Sequence, residues 1–393
     1  AEAPSAPTAS TRVMDRARER IAVPHDALAD VSAQGNLDGQ QPLAPGGAVD
    51  APAAARLDGL RLAIDALDDE LLALLNRRAA VVREVAAAKQ GSGRAFYAPQ
   101  RERAIIDRLQ EQNRGPFPTD AIRPVFQEVI SACLSLEQGV RVAFLGPEGT
   151  FTHQAVKRHF GASAPSLPCG TIAAVFDEVE RGVAEFGVVP VENSSEGVVF
   201  HTLDSFFESP LLICAEIAVD VDHCLLARPG TAGSGQAVGE GAIERVYSHP
   251  QGLAQCRGWL AANLPRAHLV ECHSTTDAAR RAHEDAGGAA IAGELAAKLY
   301  GLAVLRRKLQ DRSHNVTRFL VIGRPGEGAT VASDAPDTKT SVLLGMRDRP
   351  GDLFHALEPL SRLGINLTRI ESRPSRRKAW EYVFFLDLEG HAD

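Results

Sequence analysis

The sequence lacks the spacings that mark common metal and redox sites. Its six cysteines include no Cys-x-x-Cys pair, and its twelve histidines include no His-Glu-x-x-His pair. These absences argue against a zinc ribbon, a dithiol redox motif and a zinc-protease motif. We therefore expect reduced, mostly buried thiols, no metal site and no bound cofactor.

Positive charge and long apolar runs are also scarce. A formal net charge of -8 argues against nucleic acid or an acidic membrane surface as a partner. No apolar run reaches the length of a bilayer crossing, and the N-terminus lacks the charged and then apolar pattern of a signal peptide. We expect a cytoplasmic protein, and a length of 393 residues predicts two or three domains.

Two segments have the composition of unstructured chain. Residues 1–55 are rich in Ala, Pro, Gly, Ser and Gln with little apolar periodicity, which predicts a disordered tail. Residues 324–338 are rich in Gly, Pro, Ala and Asp, which predicts a linker.

Residues 56–138 have the apolar spacing of helices. One stripe begins at Leu57 and continues at steps of three and four residues to Leu74, which predicts a long helix ending near Lys89. Arg78 and Lys89 lie on the same face, and buried cations require an anionic side chain or ligand. Arg61 is about 25 Å from Arg78 along such a helix. If both residues serve the same kind of pocket, Arg61 must reach one that is built largely by another subunit, which predicts an intertwined homodimer.

Two further helices are predicted in this region, at 101–112 and at 119–137. The second has Thr119 as its N-cap and carries an apolar stripe that ends at Glu137. Glu137 is therefore a further candidate for a buried charge.

From residue 139 to 323 short strands alternate with capped helices. A strand at 141–145 leads into the glycine turn at 146–151, and similar units place Glu192 and Ser248 directly after strands. This alternation predicts an α/β domain in which helix N-termini face an anionic ligand.

Residues 315–319 form a polar cluster that runs into an apolar strand ending at Gly323. Strand alternation puts Asn315 and Thr317 on one face and Arg318 on the other. Polar side chains at a strand end are placed to meet a substrate. The alternative is a solvated strand edge without function.

The C-terminal residues 339–393 predict strand, helix, strand, strand, which is the beginning of a ferredoxin-like α+β unit. A complete unit would continue with a second helix and a fourth strand, so we expect a partial domain.

The helical region resembles the all-helical class of chorismate mutases, through Arg61, Arg78 and Lys89 followed by Arg101-Glu102. The resemblance implies that Arg61, Arg78 and Arg101 hold the two carboxylates of chorismate and that Glu102 holds its hydroxyl. Lys89 and Glu137 would flank the ether oxygen, where Glu137 helps only when protonated. The implied reaction is the rearrangement of chorismate to prephenate by positioning and electrostatics. The alternative is a helical dimerisation module.

The α/β region resembles the prephenate dehydratase family, through the blocks described above together with 309–311 and 315–319. The resemblance implies two lobes similar to periplasmic binding proteins, with prephenate in the cleft between them. It implies that Thr317 is at the chemistry, that Arg318 holds a carboxylate, and that the site is lined by Glu192, Asn193, Ser194, Ser248 and Gln255. The proton donor to the leaving hydroxyl is left open between Thr317 and Glu192.

Residues 350–353 and 371–374 resemble the phenylalanine-binding ACT domain attached to these dehydratases. The resemblance implies that L-phenylalanine is the effector, bound by Gly351, Leu353, Glu371, Ser372 and Arg373. The leading hypothesis is a bifunctional enzyme that converts chorismate to prephenate and then to phenylpyruvate. The alternative is a non-catalytic dicarboxylate-binding protein with an amino-acid sensor.

Overall fold

The computed structural model describes residues 51–89, 99–134, 140–229, 243–312, 314–325, 338–346, 349–374 and 382–391. Residues 1–50 of the predicted tail, most of the predicted linker and Glu137 lie outside these ranges. The chain divides into two compact units, Ala1–Ala66 and Leu67–Asp393.

Three helices open the described chain: α1 (Ala51–Lys89), α2 (Pro99–Gln112) and α3 (Thr119–Leu134). The prediction that the disordered tail extends to residue 55 is wrong for residues 51–55, which are helical. Alanine is the strongest helix former, and Pro52 lies in the first turn, where a missing amide hydrogen costs little.

The α/β region has two lobes, and the chain leaves the first lobe and later returns to it. The first lobe contains β1 (Val142–Leu145), α4 (Phe151–Phe160), β2 (Ser166–Cys169), α5 (Ile172–Glu180), β3 (Phe186–Asn193), β4 (Gly197–Val198), α6 (Phe200–Glu208) and β5 (Leu212–Asp220). The second lobe contains β6 (Cys224–Ala227), β7 (Arg245–Ser248), α7 (Pro250–Gln255), α8 (Arg257–Asn263), β8 (His268–Glu271), α9 (Thr275–Glu284), β9 (Gly288–Ala292), α10 (Glu294–Tyr300) and β10 (Ala303–Arg306).

The returning strand, β11 (Val316–Gly323), completes the first sheet, whose order is β2-β1-β3-β11-β5 with β4 beside β3. The second sheet has the order β10-β6-β9-β7-β8. β11 is antiparallel to both β3 and β5, and its register pairs Thr317 with Asn193 and Arg318 with Glu192. Residues distant in sequence are thereby placed side by side.

Apolar side chains cover both faces of the first sheet. Phe319 and Val321 belong to the cluster formed with α4, whereas Leu320 and Ile322 belong to the cluster formed with α5. Burial on both faces explains the continuous apolar run of β11. The two faces also separate the polar residues that precede this run.

The C-terminal region contains β12 (Lys339–Gly345), α11 (Asp352–Arg362), β13 (Leu367–Pro374) and β14 (Tyr382–Glu389), with the sheet order β12-β14-β13. Strand, helix, strand, strand is the predicted order. Phe385 of β14 packs against the cluster that contains Leu320. This sheet therefore contacts the first lobe.

None of the helices in the described ranges combines the length and the apolar character that a bilayer crossing requires. All six cysteines are buried free thiols.

Candidate functional site

A hydrogen-bonded cluster of amide side chains lies at the start of β11. Asn193 Nδ2 donates to Asn315 Oδ1 and to Thr317 Oγ1, each at 2.8 Å. Asn315 and Thr317 are buried. The antiparallel pairing of β3 with β11 brings these three residues together.

The bond from Asn193 determines what the hydroxyl of Thr317 can do. Because Asn193 Nδ2 donates to Thr317 Oγ1, one lone pair of this oxygen is occupied. No residue in the described ranges accepts a hydrogen bond from this hydroxyl, so its proton is available for a ligand. A donor on the oxygen also polarises the hydroxyl, which strengthens it as a donor.

Gln255 links this cluster to the second lobe. Its Oε1 accepts from Asn315 Nδ2 at 2.9 Å, and its Nε2 donates to Glu196 Oε1 at 3.2 Å. The same Oε1 lies 2.9 Å from Nε2 of the buried His223. Gln255 is at the end of α7, and its side chain reaches Asn315, just before β11, and Glu196, in the turn between β3 and β4.

The structure does not bring Glu192 and Arg318 to this cluster, which is a correction to their predicted places in the cleft. Arg318 Nη1 bonds Glu192 Oε2 at 2.7 Å on the opposite face of the sheet from Thr317. The reason is strand alternation, because neighbouring residues of a strand point to opposite faces. In this arrangement neither residue can touch a ligand held by Thr317.

Arg318 instead belongs to an ion cluster between the first lobe and the C-terminal sheet. Its Nη2 lies 2.7 Å from Glu216 Oε2 and 3.3 Å from Asp387 Oδ2. Burial lowers the pKa of Arg318, but its bonds to Glu216 and Glu192 outweigh this effect and the pKa is raised. The guanidinium therefore stays charged and paired, without a carboxylate-binding fork directed to the cleft.

Ser194 and Ser248 are near the cleft but bond to backbone. Ser194 Oγ accepts from the amide of Val316 at 3.0 Å and so ties the turn after β3 to β11. Ser248 is fully buried and donates to the carbonyl oxygen of Ile291 at 2.7 Å. In these positions both residues support the walls of the cleft.

Nearby side chains accept hydrogen bonds from some of the backbone amides in the glycine turn at 146–151 and in the first turn of α4. The hydroxyl of Thr150 accepts from the amide of His153 at 3.3 Å, and the amide of Gly149 donates to His153 Nδ1 at 3.0 Å. His153 stacks on Phe144, with ring centroids 4.8 Å apart. These bonds occupy amides that sequence reasoning assigned to an anionic ligand.

The predicted mutase residues in the described ranges lie on two helices, with Arg61, Arg78 and Lys89 on α1 and Arg101 and Glu102 on α2. Arg61 is exposed and pairs with Asp58 on its own helix at 3.3 Å. Arg78 Nη1 donates to the carbonyl oxygen of Val129 on α3 at 3.4 Å, and Arg101 is exposed. The side chain of Lys89 lies outside the described residues, as does Glu137.

Glu102 of α2 has an unusual protonation equilibrium. Burial raises the pKa of its carboxyl to about 7, and the positive charge of Arg123 opposes this effect only in part. The carboxyl therefore exists in both protonation states near neutral pH.

The predicted effector residues fall on two elements. Gly351 is the N-cap of α11 in a left-handed conformation with φ of 88°, and Leu353 is half-buried in the first turn. On β13, Glu371 and Arg373 share a half-buried face, whereas Ser372 is on the exposed face. Arg373 is turned to the first lobe, where it pairs with Asp204 of α6 at 2.7 Å and lies over the ring of Phe200.

Sequence reasoning missed His223, Glu196 and Asp204 as partners of the predicted residues. Glu196 stands in the segment 192–197 that carries the resemblance, whereas His223 and Asp204 stand in no motif, and all three reach their partners only through contacts between distant segments. Among the described residues, no group of three or more His, Cys, Asp or Glu side chains could hold a metal ion.

Family models match three segments of the chain. A prephenate dehydratase model matches residues 142–327, a chorismate mutase type II model matches residues 60–138, and an ACT domain model matches residues 340–393.

Similar proteins span most of the chain. A bifunctional chorismate mutase/prephenate dehydratase of Stutzerimonas stutzeri is 46% identical over 343 residues, which is 86% of this chain and 91% of the relative. One of Aquifex aeolicus is 46% identical over 341 residues, again 86% of this chain and 91% of the relative. The crystal structure of a prephenate dehydratase from Arthrobacter aurescens in complex with L-Phe is 37% identical, with a TM-score of 0.58 over 64% of this chain and 81% of that chain.

Proposed function

This chain belongs to the family of bifunctional chorismate mutase/prephenate dehydratases, and we propose that its dehydratase reaction takes place at the cluster around Thr317. The chain is an enzyme of phenylalanine biosynthesis that rearranges chorismate to prephenate and converts prephenate to phenylpyruvate, with feedback through its ACT domain. Both activities belong to relatives that match 86% of the chain. The interpretation as a non-catalytic binding protein is therefore rejected.

The single observation that supports this site is the bond from Asn193 Nδ2 to Thr317 Oγ1. It leaves the proton of Thr317 for the departing C4 hydroxyl of prephenate. As the ring carboxylate leaves as CO₂, its bonding electrons enter the ring, and the hydroxyl takes up the proton and leaves as water, after which solvent returns a proton to Thr317. Aromatisation provides the driving force, so a positioned donor is sufficient. Thr317 is accordingly preferred to Glu192, whose carboxylate is paired with Arg318 on the other sheet face.

The matched variants Thr317→Val and Thr317→Ser test this role, because valine keeps the shape of threonine without its hydroxyl. We expect Thr317→Val to lower dehydratase turnover roughly 100- to 1000-fold, so that prephenate accumulates from chorismate. Thr317→Ser should retain most of the turnover, and mutase activity should be unchanged in both. Near-normal turnover in Thr317→Val together with its loss in Glu192→Gln would assign the donor to Glu192 instead.

We also propose that the mutase site uses Arg61, Arg78, Arg101 and Glu102 with Lys89 and Glu137, in the roles implied by the resemblance. The half-buried Arg78 and the shifted pKa of Glu102 support this assignment.

For the ACT domain we propose Gly351, Leu353, Glu371, Ser372 and Arg373 as the L-phenylalanine site.

A homodimer is proposed from the exposed apolar side chains of α1. Leu67, Leu71 and Leu74 are each more than half exposed, although they continue the stripe that is half-buried at Leu75 and Val82. At 1.5 Å per residue, α1 is about 58 Å long, whereas α2 and α3 are about 21 and 24 Å long. Two short helices cannot cover the long one, so the rest of its stripe fits a second copy of the chain.

A cytoplasmic location is proposed because all six cysteines are free thiols.

A further inference from the structure

His223 is a buried histidine beside the cleft that the proposed chemistry does not use. It is 3% exposed and lies just before β6, where the chain first crosses between the lobes. Its Nε2 lies 2.9 Å from Gln255 Oε1, whereas its Nδ1 has no hydrogen-bond partner among the described residues. A buried polar atom without a partner is costly. The bond at Nε2 is therefore the one polar contact that the ring makes in this part of the structure.

Backbone groups determine the direction of the bonds that lead from this ring to Thr317. Asn193 Oδ1 accepts from the amides of Ser195 and Glu196, at 2.9 and 3.0 Å. A backbone amide can only donate, so the oxygen and nitrogen of the Asn193 side chain are assigned without ambiguity. Its Nδ2 must point to Asn315 and Thr317.

The same logic assigns each following group. Asn315 must present Oδ1 to Asn193 and therefore Nδ2 to Gln255. Gln255 must then present Oε1, and Glu196 accepts from its Nε2. The partner that remains for Gln255 Oε1 is His223, which can satisfy it only with a proton on Nε2.

The surroundings of the ring favour its neutral form, and the bond to Gln255 Oε1 places its proton at Nε2. Burial lowers the pKa of His223, and the bond to Gln255 and the charge of Asp222 counteract this only in part. The carboxylate of Asp222 itself accepts from Gln310 Nε2 at 2.8 Å. The ring of Phe151 packs edge-on against the imidazole ring of His223, with ring centroids 5.6 Å apart.

We propose that His223 is a positioning residue of the dehydratase and acts through Gln255. Its Nε2–H holds the amide of Gln255 in one orientation, and the relay of amides then keeps the hydroxyl of Thr317 free to donate. Without this donor, Gln255 Oε1 keeps only the bond from Asn315 Nδ2 and its Nε2 only the longer bond to Glu196, so the amide is held less firmly in the orientation that Asn315 requires. The inference rests on the proposed role of Thr317.

Two variants of similar polarity separate positioning from folding. In His223→Gln an amide nitrogen reaches the place of Nε2, whereas in His223→Asn the side chain is one methylene shorter and does not reach it. We expect His223→Asn to lower the dehydratase kcat about 10- to 100-fold with little change in KM, and His223→Gln to retain most of the wild-type kcat. Near-wild-type KM for prephenate and an unchanged thermal unfolding transition of each chain provide the control for folding of the α/β region.

The double variant with Gln255→Met tests whether His223 acts through Gln255. Two residues of one relay are not additive, so His223→Asn should cause no further loss of kcat in the Gln255→Met background. Three outcomes would each overturn the inference. They are a kcat of His223→Asn equal to that of wild type, equal losses of kcat in His223→Asn and His223→Gln, and full additivity of the losses in the double variant.

A spectroscopic measurement does not depend on turnover. In long-range ¹H–¹⁵N spectra of the full chain at about pH 8, assigned by comparison with His223→Gln, we expect a neutral ring protonated at Nε2. A ring protonated at Nδ1 would overturn the inference. If Thr317→Val instead keeps normal turnover while the His223 results are as expected, the relay stands and the role of Thr317 fails.

Discussion

Asn193 determines the chemistry available to Thr317 because the two backbone donors on its oxygen dictate where its nitrogen points. A threonine in water donates and accepts equally well, whereas this one is already accepting. The hydrogen bonding of Thr317 is therefore determined by neighbours that need not contact the substrate. Glu102 in the helical region is a second case in which surroundings change the chemistry of a residue.

The pKa of Glu102 predicts the pH dependence of the mutase. An ionised carboxylate accepts the substrate hydroxyl better than a neutral carboxyl, and the pKa of Glu102 is about 7. We expect kcat/KM for chorismate to rise as pH increases through about 7, because kcat/KM reports ionisations of the free enzyme. Glu102→Gln should remove this rise, whereas Glu111→Gln on the exposed side of the same helix should keep it.

A fall in mutase activity over the same pH range would contradict the role of Glu102. It would instead agree with the expectation for Glu137, which helps the ether oxygen only when protonated. The sign of the slope therefore distinguishes the two carboxyl groups.

Two elements carry the functional geometry, and they do so differently. β11 is held on both sides by antiparallel partners, so its register fixes the contact of Thr317 with Asn193. α1 is longer than the helices beside it in the chain, and much of its apolar stripe is exposed. A central strand is complete within one chain, whereas the exposed stripe of this helix fits the proposed second subunit.

A charge in the exposed stripe of α1 should prevent dimer formation. Leu71→Glu would bury an unpaired carboxylate in the proposed subunit interface, which is strongly unfavourable. We expect light scattering to give the mass of a single chain. Mutase activity should fall, whereas dehydratase activity should be retained. Ala80→Glu is the matched control, because Ala80 lies nine residues further along α1 and therefore on the opposite face of this helix. It should leave the dimer intact. A Leu71→Glu variant of unchanged mass would remove this stripe from the interface.

The C-terminal sheet is joined to the first lobe by charged contacts at two places. Arg318 and Asp387 meet at one, where Arg369 also lies 3.9 Å from Glu192. Arg373 and Asp204 meet at the other. Because Arg318 follows Thr317 in β11, these contacts join the C-terminal sheet to the strand that carries the proposed donor.

The Arg373–Asp204 contact predicts how feedback reaches the dehydratase. Asp204→Asn removes the charge that holds Arg373 to α6, so the ACT domain should transmit effector binding less well. We expect L-phenylalanine to inhibit the dehydratase less completely, with activity in its absence nearly unchanged. Glu284→Gln, which weakens a pair with Arg280 on α9, is the control and should be inhibited normally.

Binding of L-phenylalanine, measured by calorimetry, separates transmission from recognition. Unchanged affinity with weaker inhibition supports transmission through Asp204. Inhibition identical to wild type would show that this contact has no part in feedback.

Apolar periodicity and local motifs are enough to predict most of the helices and strands and the residue types that carry the chemistry. Periodicity predicted α1, α2, α3 and β11, and the resemblance pointed to the three functional regions. Alternation along residues 315–319 already implied that Thr317 and Arg318 face opposite ways. Only the tertiary structure decided which face is the cleft, because that depends on the packing of α4 on one side and α5 with Phe385 on the other. For the same reason His223 and Asp204 carry no signal in the sequence: their partners are brought to them by strand pairing and domain contacts between distant segments.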